Sequence, residues 1–292
     1  MITMNKAPKA PYFSSIVTNS NPNNLRVYVR TYPVGKLVLD EINNFNVFCD
    51  KIETDRKIIM PDHIHFVLKI KEYLPLSLEF VLEQWQEMLF QKAKSLQLIP
   101  LSCQSLFEKG FNDIFFNHSV KWNVINNYIQ DNPRRLWERW QNPKYFHRSE
   151  NMEIYGVKCQ LYGNISLLDN PLIYPVIVHR SDIKNSEVLN RKKEYWKYSI
   201  LNGGVIAGAF RNEVEKEVRN YALNNGGRII YLKDKPFEEK EKPKGKYYDF
   251  CKEGKLLYLY PEMHFSGKYQ RRQECLYLNS MANSLYQRKP CF

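Results

Sequence analysis

Residues Lys57 to Lys69, KIIMPDHIHFVLK, carry the pattern that most limits how this chain can fold. The run is rich in β-branched and aromatic residues and reads as a strand. Side chains on a strand alternate between faces, so His63 and His65 project one way while Ile64 and Phe66 project into a core. A segment apolar on one side and polar on the other needs a sheet, with something covering its apolar face.

The neighbouring segments supply that cover. Residues 11–17 and 26–32 read as short strands. From Val34 to Phe48, Leu37, Leu39, Ile42 and Phe45 fall near helical spacing. Lys51 to Asp55 is polar and is expected to end in a turn, pairing with Lys57–Lys69. After Pro75, a helix presents Leu78, Val81, Leu82, Trp85, Met88 and Leu89 on one face, and a second helix runs from about Val120 to Trp140. This order predicts a compact α+β domain.

Beyond about Asn151 the texture changes. Tyr162–Leu168 and Pro171–His179 read as strands, Glu187–Leu201 as a basic helix, and Gly203–Phe210 as a glycine-punctuated strand. Glu213–Leu223 reads as a helix, Arg228–Leu232 and Leu256–Tyr260 as strands, and Glu274–Tyr286 as a final helix. Strand–helix–strand units of this kind build parallel sheets. With 292 residues, two domains are expected, 1–150 and 151–292, with a linker near 143–160.

No run approaches the ~18 apolar residues of a membrane span. The first residues, MITMNKAPKAPYF, lack the apolar centre of a secretory signal. Six scattered cysteines form no CxxC pair, which points to reduced thiols in a cytoplasmic protein. The net charge is +12, with 19 basic against 15 acidic residues up to position 150 and 24 against 16 after it. Such a surplus favours a polyanion, nucleic acid first, because Lys and Arg displace the counterions condensed on phosphates. Twenty tyrosines, sixteen phenylalanines and five tryptophans offer planar surface for unpaired bases.

Two neutral imidazoles on one strand face can hold a divalent ion. A second constellation lies in Val124–Arg135, VINNYIQDNPRR, where Tyr128 and Asn132 stand four apart and share a helical face. A phenol and an amide oxygen can therefore meet the histidines if this helix crosses the strand. Taken together, MPDHIHF and NYIQDNPRR resemble the REP-associated tyrosine transposases of the single-tyrosine HUH transposase and endonuclease superfamily. Phe111-Asn112-Asp113 resembles the stretch ahead of that family's catalytic helix, and the likeness covers roughly residues 10–148.

The resemblance implies a ferredoxin/RRM-like antiparallel sheet with helices on one face. It implies His63 and His65 as metal ligands, Asn132 as a third ligand, and Tyr128 as the nucleophile that forms a 5′-phosphotyrosine on single-stranded, hairpin-bearing DNA. Asp62 departs from the family's usual asparagine and is expected to set a negative charge beside the ion. The metal is Mg²⁺ or Mn²⁺: imidazole ligands lean towards Mn²⁺, cellular supply towards Mg²⁺. A phenol with an ordinary pKa of about 10 is a poor nucleophile near neutrality, so polarisation of the phosphate by a metal suits this chemistry.

Arg134 and Arg135 are candidates for DNA phosphates. GGVIAGAF, the following helix and RIIYL resemble the Rossmann-like fold of DNA-processing protein A and the lysine-decarboxylase-like proteins. This half reads as an accessory domain touching DNA through Lys192, Lys193, Arg271 and Arg272. No GxGxxG or Walker-type loop is present. A DNA-binding regulator that has lost cleavage is the alternative. A histidine-triad hydrolase would need histidine at position 67, where this chain has Val67. A monomer and a homodimer sharing active sites both fit the sequence.

Overall fold

The computed structural model describes residues 1–19, 25–116, 119–239 and 241–291, with the backbone alone for 119–121. The chain forms two compact units, Met1–Glu138 and Arg139–Phe292, each mixed α and β.

The first unit contains β1 (Ile2–Asn5), β2 (Ser14–Thr18), β3 (Val27–Thr31), α1 (Pro33–Asn43), α2 (Phe45–Phe48), β4 (Ile52–Ile59), β5 (His63–Ile70), α3 (Leu78–Ser95), β6 (Asn112–Asp113) and α4 (Ser119–Gln141), whose last residues enter the second unit. Four strands form an antiparallel sheet in the order β4–β5–β1–β6. β2 and β3 form a separate two-stranded sheet.

α1 starts at Pro33, whose missing N–H costs nothing in a first turn, and it buries Val34, Val38 and Ile42 at four-residue intervals. α3 is capped by the Ser77 hydroxyl, which accepts from the Phe80 N–H at 3.2 Å, and buries Val81, Leu82, Trp85, Leu89 and Ala93. These stripes meet Ile64 and Phe66 of β5. The Trp85 ring lies 5.3 Å from Phe45 and 5.7 Å from Phe66, centroid to centroid.

Opposite, Val67 packs with Ile125 and Ile129 of α4. β5 is therefore covered on both faces, where the sequence reading placed helices on one face only. Two further expectations change. The turn lies at Met60–Asp62, not at Asp55, because β4 continues through a register shift between Thr54 and Lys57. The opening residues form β1, a strand the sequence reading did not find, in the centre of the sheet.

The second unit contains β7 (Arg148–Ile154), β8 (Val157–Gly163), β9 (Ile173–Pro175), α5 (Arg180–Lys184), α6 (Ser186–Leu201), β10 (Val205–Gly208), α7 (Glu213–Asn224), β11 (Arg228–Leu232), α8 (Lys246–Lys252), β12 (Leu256–Pro261) and α9 (Gln270–Gln287). They make one sheet in the order β7–β8–β12–β11–β10–β9, in which β9 to β12 run parallel and β7 and β8 antiparallel. The parallel strands follow chain order without reversal. α6, α7 and α8 accordingly pack on one face through Trp196, Ile200, Val218, Ala222, Phe250 and Cys251. α9 covers the other through Leu278, Met281, Ala282 and Leu285.

Residues 143–160, expected as a linker, instead hold a 3₁₀ turn, β7 and the start of β8. The strand expected at 162–168 ends at Gly163 and gives way to a 3₁₀ turn.

Candidate active site

The site lies on the α4-facing side of β5. His63 and His65 sit two residues apart on that side, their ring centroids 4.7 Å apart and edge to face. β1 runs antiparallel beside them with Thr3 directly opposite His65, so the two side chains share a face. The Thr3 hydroxyl lies 2.8 Å from His65 Nδ1. Asp62, in the turn ahead of the strand, places Oδ1 2.7 Å from His63 Nδ1.

These contacts engage Nδ1 of each ring, and His65 Nε2 is buried. A carboxylate only accepts, so in the neutral ring His63 Nδ1 carries the proton and Nε2 the lone pair. A hydroxyl can also accept, so His65 can take the same tautomer. An imidazole whose second nitrogen is tied to an oxygen is the usual form of a metal-binding histidine.

α4 brings the phenol. Ile125 and Ile129, buried against Val67, hold this helix to the strand face. The Tyr128 ring centroid lies 5.4 Å from that of His65 within the same molecule. His65 is 3% exposed, whereas Tyr128 is 38% exposed and open to a large substrate.

The helix continues through Pro133 although proline cannot donate to the carbonyl four residues back. One residue earlier, Asn132 Nδ2 donates to the Tyr128 carbonyl at 2.9 Å. Asn132 is 7% exposed, and with its nitrogen engaged, Oδ1 is the atom it can offer a cation. Two imidazoles and an amide oxygen are a fitting donor set for Mn²⁺, and for Mg²⁺ once phosphate oxygens complete the shell. Among the described residues, no group of three or more His, Cys, Asp or Glu side chains could hold a metal. The set here contains only two such residues.

Arg134 and Arg135 are held inside the helix. Arg134 donates to Asp131 through Nε (2.6 Å) and Nη2 (2.7 Å) and to Glu138 through Nη1 (2.5 Å), and Arg135 Nε reaches Asp131 at 2.8 Å. Partial burial pushes the Asp131 carboxyl up, but hydrogen bonds from both arginines outweigh it and hold the carboxyl below its ordinary value. The bond to Asp131 raises the Arg134 guanidinium, against the opposing effect of burial.

In the second unit, Lys192 pairs with Asp182 at 2.7 Å and Lys193 with Glu217 at 2.6 Å. Arg271 and Arg272 are exposed in the first turn of α9. The structure thus brings together His63, His65 and Tyr128, keeps Asn132 one turn along the same helix, and ties four of the six expected DNA-binding cations to carboxylates. The sequence reading missed Thr3, and only the pairing of β1 with β5 could have revealed it.

No family model, no curated protein and no solved structure matches this chain.

Proposed function

We propose that the first unit is a metal-dependent endonuclease or transposase that cuts and rejoins single-stranded, hairpin-bearing DNA through Tyr128. The observation carrying this reading is the approach of one exposed tyrosine ring to His65, the inner of two adjacent imidazoles that are each tied at Nδ1 to an oxygen. The sheet order, with α1 and α3 on one face, supports a ferredoxin-like reading of this unit. The parallel strands β9–β12 support a Rossmann-like reading of the second unit as an accessory domain.

His63, His65 and Asn132 would hold the cation. When bound, the ion supplies Lewis-acid polarisation of the scissile phosphate. The Tyr128 Oη attacks phosphorus in line, the bond to the 3′ oxygen breaks, and that oxygen takes up a proton while the phenol gives one to solvent. The product is a 5′-phosphotyrosine and a free 3′ hydroxyl. A second 3′ hydroxyl reverses the step without nucleoside triphosphate, because the ester bond is kept.

The test incubates the protein with a 3′-labelled hairpin oligonucleotide and Mn²⁺ and resolves the products under denaturing conditions. A label that migrates with native protein and not with Tyr128→Phe is expected. No adduct, or equal adduct from both proteins, rejects the proposal.

A further inference from the structure

Between β1 and α1 the chain inserts the β2–β3 ribbon, and the root of this ribbon is fixed to the turn that precedes His63. The Phe13 N–H donates to the Pro61 carbonyl at 3.0 Å, and the Ser14 hydroxyl to the Ile59 carbonyl at 2.7 Å. The other strand closes onto the same point, its Tyr32 N–H donating to the Phe13 carbonyl at 2.9 Å. α1 approaches so closely that a Cβ on Gly35 would stand 1.9 Å from the Phe13 carbonyl oxygen.

From this anchored root, alternation along β3 and its flanks sets Arg26, Tyr28, Arg30 and Tyr32 to the exposed side. Tyr28 is 49% and Tyr32 41% exposed, whereas Val27, Val29 and Thr31 on the other side are half-buried. Cation and ring thus alternate every second residue, about 6–7 Å apart by strand rise. Along this stretch of chain the charge is of one sign. The first 39 residues hold Lys6, Lys9, Arg26, Arg30 and Lys36, and the first acidic residue in the chain is Asp40. Exposed tyrosines on a hairpin commonly do no more than cover their own sheet. That account does not explain arginines interleaved with the rings on one strand that itself carries no carboxylate.

We infer that this ribbon is a platform for the single-stranded DNA that leads into the site, an inference that rests on the function proposed above. Tyr28 and Tyr32 stack unpaired bases, and Arg26 and Arg30 hold the phosphates between them. A duplex hides its base faces, so a stacking surface selects unpaired strand. The anchor at Ile59 and Pro61 ties the platform to the strand that carries the imidazoles.

The experiment measures anisotropy of a 5′-fluorescein oligothymidylate in EDTA, with the full chain carrying Tyr128→Phe so that nothing is cut. Adding Tyr28→Ala and Tyr32→Ala is expected to weaken binding at least about 5-fold for each base that loses its stack. Phenylalanine at both positions should bind like the parent. Arg26→Gln with Arg30→Gln should flatten the salt dependence by about 0.7 per charge removed. Unchanged affinity in the alanine variant, with the fold verified by circular dichroism, overturns the inference, as does equal competition by duplex DNA. Because cleavage is blocked throughout, binding lost in these variants upholds the platform even if native protein forms no adduct. An adduct formed by native protein, with binding untouched in the variants, sinks the platform alone.

Discussion

Asp62 Oδ1 stands 2.7 Å from His63 Nδ1, and that bond gives the aspartate a task its charge alone does not. Read as a sequence departure, Asp62 sets a negative charge near a cation. In the structure it engages Nδ1 of the ring that would bind the cation, which leaves Nε2 as the atom to offer.

Asp62→Ala is accordingly expected to weaken Mn²⁺ binding by about 10- to 100-fold, the usual cost of losing such a partner. Titration calorimetry of the protein without DNA measures this directly. Asp62→Asn retains an accepting oxygen and should lie nearer the parent. Equal Mn²⁺ affinity in the alanine variant and the parent would remove the orienting role.

Ile129 is buried where α4 meets Val67 of β5. Ile129→Ala should cost about 2–4 kcal/mol through lost burial and the cavity left behind. Urea unfolding followed by fluorescence measures it, and the yield of adduct should fall as the helix loosens. A cost near zero would mean that this contact does not hold the phenol over the strand.

Acid should act through Asp131. Its carboxyl lies below the ordinary value of 3.8 in the folded chain, so its pairing with Arg134 and Arg135 stabilises above about pH 4 and is lost as pH falls through the depressed value. Asp131→Asn should therefore lower the melting temperature near neutrality, and the gap to the parent should close in acid. A gap independent of pH would contradict the assignment.

Burial pushes the thiols of Cys159 and Cys251 up to about 12. Only thiolate reacts readily, so neither should be alkylated by iodoacetamide in the folded protein near pH 8, and both should be in urea. Peptide mass mapping distinguishes the two. Rapid labelling of either in native protein would show that the second unit opens.

Gly35→Ala should destabilise the first unit, because the new methyl group meets the backbone oxygen of Phe13 and neither side is a flexible chain end. Differential scanning calorimetry is the measure, with a melting temperature equal to the parent's as the contrary result.

Much of this architecture was legible as periodicity. The two-residue alternation of β5 and the apolar stripes of α3 and α7 follow from the sequence, since each buries one face against a sheet. β4 was misjudged because its irregularity near Asp55 breaks the alternation. β7 was missed because an edge strand such as RSENMEI keeps polar residues on most positions. At the site, spacing put the two histidines on one strand face and Tyr128 and Asn132 on one helical face, and the resemblance alone joined the two pairs. Thr3 could be found by neither, because its contact with His65 arises from strand pairing across 62 residues. The pairing of Arg134 and Arg135 with Asp131 and Glu138, three or four residues along one helix, was open to the same spacing argument and went unread, whereas the partners of Lys192 and Lys193 lie 10 and 24 residues away.

The turn at Met60–Asp62, closed by the Met60 N–H on the His63 carbonyl at 2.9 Å, sets the phase of everything after it. A single codon gained or lost there would exchange the two sides of the following strand. Both imidazoles would then be driven inward and Ile64 and Phe66 outward. Frame-preserving insertions and deletions at this bend should be far less tolerated than substitutions of the same residues, a contrast that a mutational scan can read out.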